Sequence, residues 1–403
     1  MRPLWFVLAI AILSAQGARA YSRACASCGP DFETRVKSVT EEFTVDIHAQ
    51  KKMSCETCHG SSPNGMPTAR SYYIPRARIP ELCGSCHADA ARIKQFNPSL
   101  RTDQLAQYRT SVHGIKFAHG DTRVAVCTDC HFTHIIRPSS DPESSVHPMN
   151  VAVTCKRCHS DANYMRPYHI ETNQFADYSQ SVHSEAVVMR GDLTAPTCTT
   201  CHGSHGAVLP GVKNVANVCA ACHVFQGKFY EESPHKQVFA RMGLADCVAC
   251  HTSHGIRHPT DDFVGTGKDA VCGTCHDPGD SAGRVADGIH GRLRQLEIDI
   301  ANAKSRLDRA EHSGMDVADA QLELTQANDA LTKARVTLHT AKLSRVAADT
   351  DAGTKIAIDA SAAGEAALKE RGSRRKALLF PLIAIAALVA SLCGYIREIE
   401  GGS

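Results

Sequence analysis

Sixteen of the nineteen cysteines stand in eight pairs that have two residues between the thiols and a histidine directly after the second one. The eight CxxCH motifs are Cys55, Cys58 and His59; Cys83, Cys86 and His87; Cys127, Cys130 and His131; Cys155, Cys158 and His159; Cys198, Cys201 and His202; Cys219, Cys222 and His223; Cys247, Cys250 and His251; and Cys272, Cys275 and His276. Paired thiols can hold zinc, close a disulfide, or add across two vinyl groups of a porphyrin. Zinc asks for four ligands per site and does not require an imidazole after every pair. Disulfides account for the cysteines and leave eight histidines unexplained. Thioether attachment explains both, because the vinyl spacing fixes the thiols and the next residue then lies under the central iron. The pattern predicts eight covalently bound haem c groups, attached at those sixteen cysteines, with the eight motif histidines as proximal iron ligands.

A second set of histidines recurs at fixed places. The motifs fall into four modules of two, 21 to 28 residues apart within a module, and a further histidine precedes each module. The stretches FTVDIH, YRTSVH, YSQSVH and YEESPH end at His48, His113, His183 and His235, each with an aromatic residue five positions earlier. VADGIH, ending at His290, follows the last module and lacks the aromatic. In three modules the first motif extends to CxxCHxxH, adding His134, His205 and His254, whereas the first module has Ser62 there. A histidine three residues past a proximal ligand lies on the wrong face of its own haem, so it is expected to reach the iron of a neighbour. His48, His113, His134, His183, His205, His235, His254 and His290 thus make eight expected distal ligands. His119, His147, His169 and His258 are read as loop or propionate-contacting residues, and His312 and His339 as solvated residues of the following helices.

About 30 residues per motif cannot enclose a porphyrin in a conventional apolar core, so the haems themselves must form it. The expected fold is mostly α with extensive irregular loops. A haem-packed domain of four two-haem modules (21–290) would be followed by a helical hairpin or stalk (291–376). Leu293, Leu296, Ile300, Ala303 and Leu307, then Leu324, Ala327, Leu331, Ala334 and Leu338, keep the three-to-four spacing of amphipathic helices. His312-Ser313-Gly314 separates two helices, about 290–312 and 316–348, and DTDAGT at 349–354 reads as a second, weaker break. The hairpin is either a spacer or a surface that packs on the last haems or on a second subunit, so oligomerisation through it is open.

Both ends carry targeting signals. Residues 1–20, MRPLWFVLAIAILSAQGARA, have a basic start, an apolar stretch and a small-x-small end, the form of a secretory signal peptide, with an uncleaved anchor as the alternative. Ala377–Ile396 holds twenty residues without a charge, about 30 Å of helix, enough to span a bilayer; the alternative is a buried core helix. Export would leave residues 397–403 as a short cytoplasmic tail and the haem domain in the periplasm. The cluster Arg371, Arg374, Arg375 and Lys376 on the outer side opposes the usual positive-inside bias; export and haem attachment outweigh it, and the cluster is read as a contact to lipid phosphates. Cys25 and Cys28, a CxxC without histidine, read as a disulfide or as a ninth haem site, and Cys393 as a small apolar residue of the span. No basic patch suggests nucleic acid; the net charge is +2.

The doubled motifs over about residues 43–290 resemble the multihaem cytochromes c. A weaker similarity extends to the nitrite reductase and hydroxylamine oxidoreductase superfamily, where haem modules precede long C-terminal helices. Two departures stand against the latter: no CxxCK replaces a proximal histidine, and little chain lies between motifs to build a substrate pocket. The resemblance implies low potentials, redox protein partners, and electrons from a quinol-oxidising membrane subunit of the cytoplasmic membrane. Whether the protein is an enzyme stays open at this point. Imidazoles on both faces of every iron would leave only electron transfer; one open haem would allow reduction of a small nitrogen or sulfur compound.

Overall fold

A computed structural model describes residues 30–60, 73–208 and 215–401. The signal-peptide reading, Cys25, Cys28 and Ser62 lie outside the described residues. Every regular element among those described is helical. Two compact units divide the chain: residues up to 211 with 252–257 form one, and 212–251 with 258 onward the other.

The first unit is a succession of short helices. Its first motifs form single turns, Cys55–His59, Cys127–His131 and Cys198–His202, whereas two second motifs end longer helices, Ile79–His87 and Pro148–His159. Few apolar side chains are fully enclosed there, chiefly Ile93, Val124, Val126, Val151, Met165 and Val187. So thin a core does not hold so long a chain together unaided, as expected where prosthetic groups form the interior.

The D/S-x-H part of the recurring stretch is a helix start. Asp46, Ser111, Ser181 and Ser233, all at most 5% exposed, are the N-cap residues of the helices Ile47–Gln50, Val112–Ala118, Val182–Arg190 and Pro234–Met242. The Asp46 carboxylate accepts from His48 N, Ser111 Oγ from Gly114 N and Ser181 Oγ from Ser184 N, each satisfying an otherwise orphaned first-turn donor. The histidine therefore sits at the second helical position, aimed by a buried cap. The recurring aromatic has its own task. Tyr108 Oη donates to Ala125 O (3.0 Å), Tyr178 Oη to Pro196 O (3.0 Å) and Tyr230 Oη to the Asp246 carboxylate (2.6 Å). Each bond lands one or two residues ahead of a first motif and ties the helix of the recurring histidine to the CxxCH turn of the same module.

In the second unit three long helices pack together: Ser281–Glu311, Ala318–Thr337 and Leu343–Gly401. Leu293, Leu296, Ala303, Leu307, Ala327, Ala334, Val346 and Ala360 are fully buried between them. The first and third run parallel in a constant register, with Arg292 paired to Asp351, Arg306 to Glu365, and Arg371 Nη1 donating to Ser313 Oγ. Two expectations need correction. The second helix ends at Thr337, not near 348, and residues 349–354 are not a break. Gly353 lies where an added Cβ would come within 2.9 Å of the Ala330 and Leu296 side chains, so close packing keeps this glycine inside a helix. Thr350 is buried and its hydroxyl returns to Val346 O, while Asp349 accepts from Thr337 Oγ1 at 2.7 Å.

The third helix leaves the bundle after Ala367 and continues through Ala377–Ile396, whose apolar side chains are half or more exposed. This helix is long and apolar enough to cross a membrane. Leu343, at its start, precedes Ala377 by 34 residues, about 50 Å of helix.

Candidate haem sites

Each first motif is followed by a residue with positive φ: Gly60 (74°), Phe132 (63°), Gly203 (84°) and Thr252 (63°). That conformation suits glycine and costs a phenylalanine or threonine about 1–2 kcal/mol. The bend turns the chain away from the motif helix, so the histidine two residues later points elsewhere. A backbone clasp then fixes where. Ile47 N donates to Ile136 O (2.8 Å), Val112 N to Ala207 O (3.0 Å) and Val182 N to Ile256 O (2.9 Å). Each donor immediately precedes a distal-histidine candidate, and each acceptor lies two residues beyond the CxxCHxxH histidine of the next module. Consecutive modules are thereby interlocked.

The imidazoles meet in pairs. His59 faces His134 (ring centres 6.2 Å apart, planes at 17°), His131 faces His205 (6.1 Å, 10°) and His202 faces His254 (6.1 Å, 11°). His48 faces His87 (6.1 Å, 86°), His113 faces His159 (6.2 Å, 58°) and His235 faces His276 (6.1 Å, 56°). Two rules generate all six. The histidine before a module meets the second motif of its own module, and the CxxCHxxH histidine meets the first motif of the module before it. The first module has no predecessor, which accounts for serine at position 62. His183 holds in its helix the place that His113 has in its own, and His223 is the N-cap residue of the Val224–Glu231 helix.

The separation stays at 6.1–6.2 Å in these six pairs while the interplanar angle runs from 10° to 86°. Ring–ring attraction would couple distance to angle, since flat and edge-on contacts differ in thickness. One metal atom bound by both rings leaves the angle free and fixes the distance: two metal–nitrogen bonds of about 2 Å and the two ring radii give about 6 Å. Eight of these imidazoles are also biased toward the neutral form, the one that can bind a metal. Burial lowers the proton affinity of His87, His113, His134, His159, His205, His235 and His254, with neighbouring imidazoles adding to it for most, and burial brings His131 down to about 4. Asp46 Oδ1 accepts from His48 Nδ1 (2.9 Å) and Val208 O from His202 Nδ1 (3.1 Å), which would leave Nε2 as the atom able to bind a metal.

The structure differs from the sequence reading at His290 and His339. His290 lies inside the Ser281–Glu311 helix; its Nδ1 donates to Asp261 O (2.9 Å) and its Nε2 is 3.9 Å from the Asp262 carboxylate. The residue two positions before it is Gly288, in mid-helix, so no cap starts a new helix to aim the ring. The imidazole that faces His251 is that of His339, at 6.3 Å and 20°. His339 is half-buried, not solvated. It stands alone in VTLHT, and only the ligand count could have drawn attention to it. Of the other histidines, His147 is 4% exposed and caps the Pro148–His159 helix, accepting from Met149 N.

The attachment cysteines form a series. Cys83 donates to Cys127 and Cys155 to Cys198, which raises the donor's proton affinity and lowers the acceptor's. Burial raises the proton affinity of Cys58 and of Cys130, and Cys86 lies near enough to add to it at Cys58, as Cys158 does at Cys130. In the second unit Cys219 contacts Cys247, and Cys250 neighbours Cys272 and Cys275. With haem attached these sulfurs would be thioethers, so the proximity would carry over and the thiol hydrogen bonds would not. Within each unit, then, successive motifs in sequence are neighbours in space. No disulfide joins the described cysteines, and among the described residues no three His, Cys, Asp or Glu side chains converge as on a bare metal ion.

Thiol pairs beside imidazole pairs at a one-metal spacing define a protein of covalently bound haem c. The family described as doubled CXXCH motif matches residues 48–92, and the family described as cytochrome c554 and c-prime matches residues 82–160. No curated protein and no solved structure matches the chain. Together the two matches span residues 48–160, and they support a multihaem c-type cytochrome with a role in electron transfer.

Proposed function

We propose that the chain carries eight haems c, each held between two imidazoles, and conducts electrons along them at the outer face of the cytoplasmic membrane. The constant ring separation across differing ring angles carries this reading. The proximal ligands are His59, His87, His131, His159, His202, His223, His251 and His276; the distal set includes His48, His113, His134, His183, His205, His235 and His254. Bound there, the haems supply one-electron exchange, with potentials set by ligand identity, hydrogen bonding and exposure. The protein's part is to close both faces of each iron, to place neighbouring attachment points in contact, and to fix their order through the interlocked modules.

A signal peptide at 1–20 would export the chain, and Ala377–Ile396 would anchor it, with the haem modules in the periplasm. A quinol-linked membrane partner would be the donor and a periplasmic or outer-membrane redox protein the acceptor. The elbow before Leu343 lies about 50 Å of helix from the apolar segment. That distance favours a redox protein over a lipid-dissolved quinol as the direct partner of the motif nearest the elbow.

The count is tested by intact mass. The purified mature protein is expected to carry eight haem additions after loss of residues 1–20. Seven would mean that one CxxCH is not loaded, and nine would make Cys25 and Cys28 an attachment site.

A further inference from the structure

The interlock leaves one position open. Each CxxCHxxH histidine serves the module before it, so the last module's first motif, Cys247 to His251, has no successor to supply its second imidazole. A fifth module is not present; the chain instead turns into the long helices.

We propose that His339, at the tip of the helical stalk, is the distal ligand of the haem attached at Cys247 and Cys250, so that the stalk closes the haem chain as well as tethering it. This rests on the bis-imidazole reading above. His339 lies in the 3-10 turn Leu338–Thr340 between the second and third long helices, its ring 6.3 Å from that of His251. Among the imidazole pairs this matches the separation and the near-parallel planes of His59–His134, His131–His205 and His202–His254. Its Nδ1 donates to Val336 O at 2.9 Å, which leaves Nε2 with a free lone pair, the arrangement that orients metal-binding histidines. His290 has the same kind of Nδ1 bond, to Asp261 O, but its Nε2 lies 3.9 Å from the Asp262 carboxylate and the imidazole paired with His251 is that of His339.

The elbow is built to hold one ring in place. Thr340 is fully buried and its hydroxyl donates to Thr337 O at 2.9 Å. Ala341 turns the chain with φ 51°, a conformation that an alanine adopts only under the demand of its surroundings. Arg335 Nε and Nη2 grip both oxygens of the buried Asp261 at 2.9 and 2.8 Å, a bidentate pair. Asp261 opens the turn that carries Phe263, whose ring is 5.6 Å from His251. One ion pair thus connects the helix that leads into the His339 turn to the wall beside the facing imidazole.

The test uses the full-length, haem-loaded protein in detergent. His339→Ala is expected to keep all eight haems attached, to add a high-spin ferric signal amounting to one haem, and to bind one carbon monoxide per chain when reduced. His339→Met is expected to stay low-spin and to raise the potential of one haem, because thioether ligation favours the ferrous state. His290→Ala is expected to leave the spin states as they are. An unchanged low-spin spectrum in His339→Ala, or a high-spin haem in His290→Ala, would overturn the assignment. Should His339→Ala fail to load, unshifted potentials in His339→Met would overturn it as well. A wild-type protein already showing a high-spin haem would instead count against the bis-imidazole reading itself.

Discussion

Changing His205 to alanine is expected to open one haem, the one attached at Cys127 and Cys130, and to leave the haem attached beside His205 closed. His205 follows Cys198, Cys201 and His202 so closely in sequence that it looks like a part of that site. Its ring instead faces His131 at 6.1 Å, and His202 faces His254. Gly203, at φ 84°, makes the bend that sends it away, and the Val112 N to Ala207 O bond holds the loop against the neighbouring module. Covalent attachment needs the two thiols and the proximal imidazole, none of which the substitution touches. All eight haems should therefore be present, with one converted from low-spin to high-spin or water-ligated and able to bind carbon monoxide when reduced. Combining His205→Ala with Cys127→Ala and Cys130→Ala identifies the opened haem: the high-spin signal should vanish with its attachment site. If it persists, the opened haem is another one and the interlock is misassigned.

A chain ending at Arg375 is expected to leave the membrane fraction completely while remaining fully loaded and folded. The last fully or nearly buried side chain of the third helix is Ala367, and the contact of Arg371 with Ser313 closes the far end of the bundle. Every residue that the truncation removes lies beyond that packing, and the apolar side chains from Leu378 onward are at least half exposed. Burying such a segment in hydrocarbon, at about 25 cal/mol per Å² of apolar surface, gives a strong anchor, and among the described residues no other helix is long and apolar enough to cross a membrane. The check is fractionation of cells producing each form, followed by haem absorbance of the soluble fraction. Truncated protein that still pellets and still needs detergent would place the anchor elsewhere.

Much of this arrangement was legible in the residues, because haem attachment is local chemistry. The CxxCH spacing is dictated by a rigid macrocycle, so no tertiary information is needed to find it. The SVH and DIH signatures are legible for a similar reason: Ser111, Ser181 and Asp46 cap the helices whose second residue is the histidine. Even the exceptions carry meaning once the interlock is known. Pro234 replaces the valine or isoleucine of the other modules and has no N–H to donate, and it stands in the last module, where no following loop could accept. Ser62 marks the first module in the same way.

What sequence could not give were pairings set by packing between distant segments. His290 satisfied the count and shared the I-H ending of the signature, but it lies in mid-helix after Gly288, without a capping residue to aim it. His339 lies 88 residues beyond His251 and has no motif around it; only the elbow between two helices brings it there. The run DTDAGT failed for the opposite reason. Its residues favour turns in isolation, yet Asp349, Thr350 and Asp351 find partners and Gly353 lets two helices approach, so tertiary contact overrides local preference.

The central claim is that two imidazoles close every iron, and the ferric electron paramagnetic resonance spectrum of the untreated full-length protein tests it most directly. The account predicts low-spin signals that integrate to all eight haems, with spread g-values because the ring planes range from near-parallel, as in His131–His205, to near-perpendicular, as in His48–His87. A high-spin signal near g = 6 amounting to one haem or more, on the order of an eighth of the total iron, would contradict it and would make that haem a candidate site for substrate.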